Sequence, residues 1–129
     1  MAFNTQKLID FVKEKLGCQC PDEVFNLIEL VKIPDTPENN TIILGNKLMV
    51  VFWYPEMASA QLSTFSDLLE KSITYKQYRQ LNRLRCVMIS HHQTIPQPFL
   101  SWFEQRIINE TNIHLHTHHI SEYNQIFEN

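Results

Sequence analysis

Leu8, Ile9, Phe11, Val12 and Leu16 recur at the spacing of one helical face, with Asn4 and Thr5 ahead of them as capping residues, which predicts a helix over 5–16. Gly17 stands where such a helix must turn left-handed to end. Pro21 followed by Asp22 and Glu23 has the form of a helical first turn with Cys20 near its cap, and it leads into a first strand expected over 27–33. A polar loop over 34–40 with two prolines and two asparagines closes that strand. The apolar runs 41–44 and 47–54 flank Gly45-Asn46, a pair suited to a type II′ hairpin.

Beyond Pro55, Ala58, Leu62, Phe65, Leu69 and Ile73 keep spacings of three and four, predicting a helix of about 14 residues against the sheet. Thr74-Tyr75-Lys76-Gln77 reads as a capping box, so a second segment running to about Leu81, or a kink, is expected there. Next come a β-rich run at 84–90, a helical pattern at 99–110 that is apolar over a wide arc, and an alternating run at 112–120. The wide arc makes this the helix expected to be most buried. Tyr123, Ile126 and Phe127 suggest a short terminal helix. About twenty residues join the last two strands, enough for a parallel pair, and such crossovers are right-handed in roughly 98% of cases.

The expected fold is α/β, with α+β as the alternative. It consists of a single mixed sheet of four to five strands, an N-terminal helix, a β-meander, and then helix-strand-helix-strand with a right-handed parallel crossover. A chain of 129 residues with 43% hydrophobic content suits one core, so 1–129 reads as a single domain.

Charged residues make up 19% of the chain and the net charge is −3, which leaves no global bias toward nucleic acid or acidic membranes. No apolar run reaches the 18 or so residues of a membrane span, and no leader pattern stands at the N-terminus, so a cytoplasmic protein without a membrane partner is expected. Three cysteines, two of them one residue apart, argue against a disulfide framework.

Candidate chemistry gathers in two stretches. If the strands at 84–90 and 112–120 are parallel, His91 and His92 share a sheet edge with His116, His118 and His119. His114, His116 and His118 project to one face at about 6.7 Å intervals, a ladder of imidazoles suited to zinc or another divalent transition metal. The plainer reading is the solvated face of an edge strand. Cys18 and Cys20 form a Cys-x-Cys pair, with Cys20 the more reactive sulfur for its place at a helix start and Cys18 a resolving thiol or second ligand. The plainer reading is two small apolar residues in a tight connection. If the first strand ran antiparallel to the last two, the cysteines would join His92 and His118 in one Cys/His metal site.

The leading expectation is therefore a metal- or thiol-linked domain whose metal residues are His92, His114, His116, His118, Cys18 and Cys20, with no catalytic residue assigned. The alternative is a non-catalytic interaction module. It would act as a homo-oligomer through the last strand, or as a nucleic-acid binder through Lys71, Tyr75, Lys76, Tyr78, Arg79, Arg83 and Arg85, a basic stretch with interleaved aromatics. Its plainer reading is the polar face of an amphipathic helix.

Two family patterns fail on single residues. The element order resembles that of PD-(D/E)xK nucleases, but Gly45-Asn46-Lys47 stands where an acid must precede the lysine. The string 114–119 resembles the His-x-His-x-Asp-His signature of metallo-β-lactamase-type hydrolases, with His118 in the aspartate's place and only ten residues after it.

Overall fold

The computed structural model describes residues 3–36, 38–54, 62–91 and 94–127. Its elements run α1 (Thr5–Glu14), a 3₁₀ turn (Asp22–Asn26), β1 (Ile28–Val31), β2 (Asn40–Leu44), β3 (Leu48–Trp53), α2 (Leu62–Tyr78), β4 (Arg83–Ser90), α3 (Gln97–Arg106), β5 (Ile113–His119) and α4 (Ile120–Ile126). The five strands lie in one sheet in the order β1-β2-β3-β4-β5. β1, β2 and β3 pair antiparallel, while β3, β4 and β5 pair parallel. This is the mixed α/β sheet expected from the pattern. Two reversals bring β1 back to the direction of β3, so β1, β3, β4 and β5 all point the same way.

The alternation of side chains sorts the residues into two cores. Trp53, Leu84, Cys86, Met88 and Ile113 pack with Phe65, Leu68, Leu69 and Ile73 of α2 and Phe99 and Phe103 of α3. Val50, Phe52, Val87 and Ile89 pack on the other face with Leu8, Phe11 and Val12 of α1 and Ile126 of α4. Both crossover helices thus lie on one side of the sheet, as they must if two successive crossovers share one hand. β3 is buried along its whole length, which fits its continuous apolar run with no alternation. The ends of the described chain meet: Asn4 N–H donates to the Ile126 carbonyl at 2.7 Å, and Phe3 bridges Phe127.

Several boundaries differ from the sequence reading. β1 keeps only four residues of the expected seven, and the chain leaves the sheet after Val31 toward the left-handed Asp35. Thr74 does not begin a new helix. Its hydroxyl bonds back to the Glu70 carbonyl at 3.0 Å, and α2 runs unbroken through it. The expected start of α2 near Ala58 lies outside the described residues. α3 stops at Arg106, and Ile108 is 73% exposed. It buries only Phe99 and Phe103, whereas α2 buries five residues, so α2 and not α3 is the more buried crossover helix.

The β2–β3 turn also differs. Gly45 and Asn46 both have positive φ, and Lys47 N–H donates to the Leu44 carbonyl at 3.0 Å, which is the type I′ pattern rather than II′. A Cβ added to Gly45 would stand 2.9 Å from Val24 Cα, whereas one added to Gly17 would meet nothing within 4 Å, although both have positive φ. G17A is expected to cost about 1 kcal/mol of left-handed strain, and G45A more, about 2–3 kcal/mol, because backbone must also move. Urea unfolding of the two variants checks this, and equal costs would mean that the packing of the turn on Val24 matters little.

Candidate functional site

Because β3, β4 and β5 are parallel, their C-terminal ends share an edge, the place where open α/β sheets hold ligands. Tyr54, His91 and His119 meet there. The Tyr54 hydroxyl lies 3.0 Å from His91 Nε2, and the rings of His91 and His119 are 6.0 Å apart, edge to face. His119 also caps α4, its Nδ1 accepting from Ser121 N–H at 3.1 Å. His91 and His119 therefore converge as the topology implied. His92 lies outside the described residues, so the expected approach of His92 to His118 does too.

His114, His116 and His118 lie on the α1/α4 face of β5, in register with Arg85, Val87 and Ile89 of β4. β5 is an edge strand, yet the ladder is not simply solvated. His114 is exposed, while His116 and His118 are part-buried and their rings stack 6.2 Å apart. His118 meets the Phe11 ring edge-on at 4.8 Å. Its Nδ1 approaches Glu122 Oε2 at 2.9 Å, a contact that becomes an ion pair only when the ring is protonated. Burial holds the His118 pKa below its ordinary value, although Glu122 pulls the other way. Burial, and then the Arg85 guanidinium, pushes His116 down to about 4. The same two causes lower His114. The imidazoles are thus neutral near pH 7. Among the described residues, however, no three His, Cys, Asp or Glu side chains stand so that they could hold one ion.

The cysteines lie at the other end of the sheet. β1 runs with β4 and β5 rather than against them, so the segment before it arrives where those strands begin. Cys20 lines a small cavity of about 130 Å³ together with Pro21, Lys47, Asn82 and Arg83. The joint site of Cys18 and Cys20 with His118 expected from an antiparallel β1 is therefore not formed among the described residues. Chain direction separates its halves, leaving Cys18 and Cys20 at one edge and His118 toward the other.

The pair itself is assembled. After α1, Gly17 at φ +65° reverses the chain, and the Cys18 and Cys20 sulfurs are brought into bonding contact with their Cα atoms 5.2 Å apart. Cys18 is buried and Cys20 only partly so. Such a link closes a loop too short to constrain the unfolded chain, so it is no structural staple. Of the two cations beside Cys20, Arg83 was singled out from the sequence only as part of the basic stretch, and Lys47 was not singled out. Lys47 could have been, since the Gly45-Asn46 turn places it at the start of β3. Cys86 is fully buried mid-strand, and burial pushes its thiol up to about 12.

The basic stretch is divided by the sheet. Lys71, Tyr75, Lys76, Tyr78 and Arg79 sit on α2, on one side. Arg83 and Arg85 open β4 and face the α1 side. Arg79 is already bound, its Nη2 3.0 Å from Glu29 Oε1 and its Nη1 3.2 Å from the Tyr75 hydroxyl, contacts that raise its pKa. Lys71 pairs with Asp67 at 3.3 Å and donates to the Asp35 carbonyl. Of the aromatics, Tyr78 is 79% exposed, with its ring 6.2 Å from that of Tyr75. The seven residues do not line one continuous track.

No helix among the described residues is long and apolar enough to cross a membrane. No family model matches the chain, and no curated protein or solved structure matches it either.

Proposed function

We propose that this chain is a thiol–disulfide exchange domain of the cytoplasm, in which Cys20 is the attacking thiolate and Cys18 the resolving thiol. The observation that carries the reading is the contact of the two sulfurs at the end of α1. Support comes from the surroundings of Cys20, where Lys47 and Arg83 line the same cavity and favour the thiolate over the thiol. Partial exposure gives a reactant access to Cys20, and the burial of Cys18 reserves it for the second step.

The exchange balances with an external disulfide as oxidant. The Cys20 thiolate attacks one sulfur of a low-molecular-weight disulfide, forming a mixed disulfide and releasing a thiolate that takes up a proton. The Cys18 thiolate then attacks the Cys20 sulfur, closes the Cys18–Cys20 bond and releases the second thiol. Two protein thiols are oxidised and one external disulfide is reduced to two thiols. Cys86, buried and protonated, takes no part.

Fully reduced protein incubated with oxidised glutathione should lose two alkylatable thiols without keeping a mixed disulfide, whereas C18S should trap glutathione on Cys20. C20S should react at least about tenfold more slowly, since attack then falls to a buried thiol. Retention of all three free thiols in the wild type, or equal trapping in C18S and C20S, would reject the exchange.

A further inference from the structure

We propose that Arg83, Arg85, His114 and His116 form a binding site for an oxyanion, the phosphate or carboxylate group of a small ligand, on the α1-side face of β4 and β5. These four side chains share one face by strand parity. Arg83 and Arg85 are two residues apart on β4, His114 and His116 two apart on β5, and the register sets Arg85 opposite His114. Adjacent strands lie about 4.8 Å apart and side chains on one face about 6.7 Å apart, so the four stand on three successive rungs: Arg85 and His114 side by side, Arg83 one rung before them and His116 one rung beyond, which flanks an oxyanion seated on the central pair with a guanidinium and an imidazole.

Two atoms in this group are left over. Arg85 Nε and His116 Nε2 are both buried and have no hydrogen-bond partner among the described residues. A buried donor without a partner is left desolvated and uncompensated, and a ligand that accepts from it recovers that cost. Charge points the same way: neither Arg83 nor Arg85 has a carboxylate partner among the described residues, in contrast to Arg79 and Arg106 of the same sheet's α2/α3 side. Burial first, and then the field of Arg83, lowers the pKa of Arg85, and burial followed by the two guanidiniums lowers that of His114, so part of each shift is like-charge repulsion. An anion relieves this repulsion. The planar guanidinium fork suits carboxylate and phosphate oxygens in pairs, and the imidazoles supply donors whose tautomer adjusts to the ligand.

A small ligand fits better than a nucleic-acid strand. The other basic residues of the 71–85 stretch lie across the sheet on α2 with Arg79 and Lys71 already paired, so a strand bound at Arg83 and Arg85 could not also follow that stretch. The site stands independently of the thiol reading, since it shares with the Cys20 cavity only Arg83.

Titration of histidine-labelled protein with inorganic phosphate at low ionic strength tests the site by NMR, with acetate as a parallel arm and sodium chloride as the control. Saturable shifts of the His114 and His116 ring signals are expected. Apparent affinity should be at least about tenfold weaker in R85Q, and in R83Q, whose exposed position guards against a folding defect. Saturation by phosphate alone assigns a phosphate-bearing ligand, and saturation by acetate assigns a carboxylate. Non-saturating shifts equal to those from chloride, or shifts unchanged in both variants, would overturn the proposal. So would tighter binding of a single-stranded oligonucleotide that depends on Lys76 and Arg79.

Discussion

Phe65→Ala is expected to lower the free energy of unfolding by about 3–5 kcal/mol, the range for deleting a fully buried aromatic ring. Phe65 is 0% exposed and sits between the two crossover helices and the sheet. Its ring lies parallel to that of Phe99 at 5.1 Å, stacks on Trp53 at 5.8 Å and meets Trp102 edge-on at 5.8 Å. Truncation removes contacts to β3 and α3 together, and the rigid neighbours cannot all collapse into the space. Urea unfolding should show a lower midpoint with an unchanged slope, which marks loss of stability without loss of the two-state transition. A loss below about 1 kcal/mol would mean that the aromatic group is not what fixes α2 and α3 to one face.

His116→Leu is expected to remove much of the protein's acid sensitivity while leaving stability near pH 7 little changed. Burial, and then the Arg85 guanidinium, holds the folded His116 pKa at about 4 against an ordinary value of 6.5. Between those values the unfolded chain binds a proton that the folded one refuses, so stability is complete above about pH 6.5 and falls as the pH drops toward 4. The full shift corresponds to about 3 kcal/mol, of which roughly half remains after solvent screening at this part-buried position. His114 and His118 are displaced in the same direction and keep part of the effect. Leucine loses no hydrogen bond, because His116 Nε2 has none among the described residues. The gap in unfolding free energy between about pH 7 and about pH 4.5 should shrink by about 1–2 kcal/mol in H116L. An unchanged gap would place the acid sensitivity elsewhere.

What the sequence made legible was whatever depends on local period. The alternation of β5, the continuous apolar run of β3 and the stripe of α1 each follow from which neighbours cover them, so element type and the parallel crossover could be read directly. Thr74 misled because a capping box and a mid-helix threonine bonded back to Glu70 look alike until the preceding turn is known. The histidine edge could be read in part, since the crossover places His91 and His119 together. The Cys/His site could not be decided, because the direction of β1 depends on how many reversals precede β3, and no residue in β1 records that number. Glu122 near His118, and Lys47 and Arg83 beside Cys20, come from other elements, so no spacing along the chain pairs them.

Every neighbouring pair of strands in the sheet is also consecutive in the chain. Each strand therefore finds its place beside the one made just before it, and no loop closure longer than a single crossover separates one addition from the next. The β2–β3 hairpin, with its tight turn, is the natural seed, and the sheet can grow outward from it toward β1 and toward β5. The α1 side obeys a different order. Its cover joins Leu8, Phe11 and Val12 from the first helix to Ile126 and Phe127 from the last, with Asn4 tied to Ile126. Half of the hydrophobic interior thus remains open until the final helix arrives, and the chain closes as a book does, with the α2/α3 page already turned.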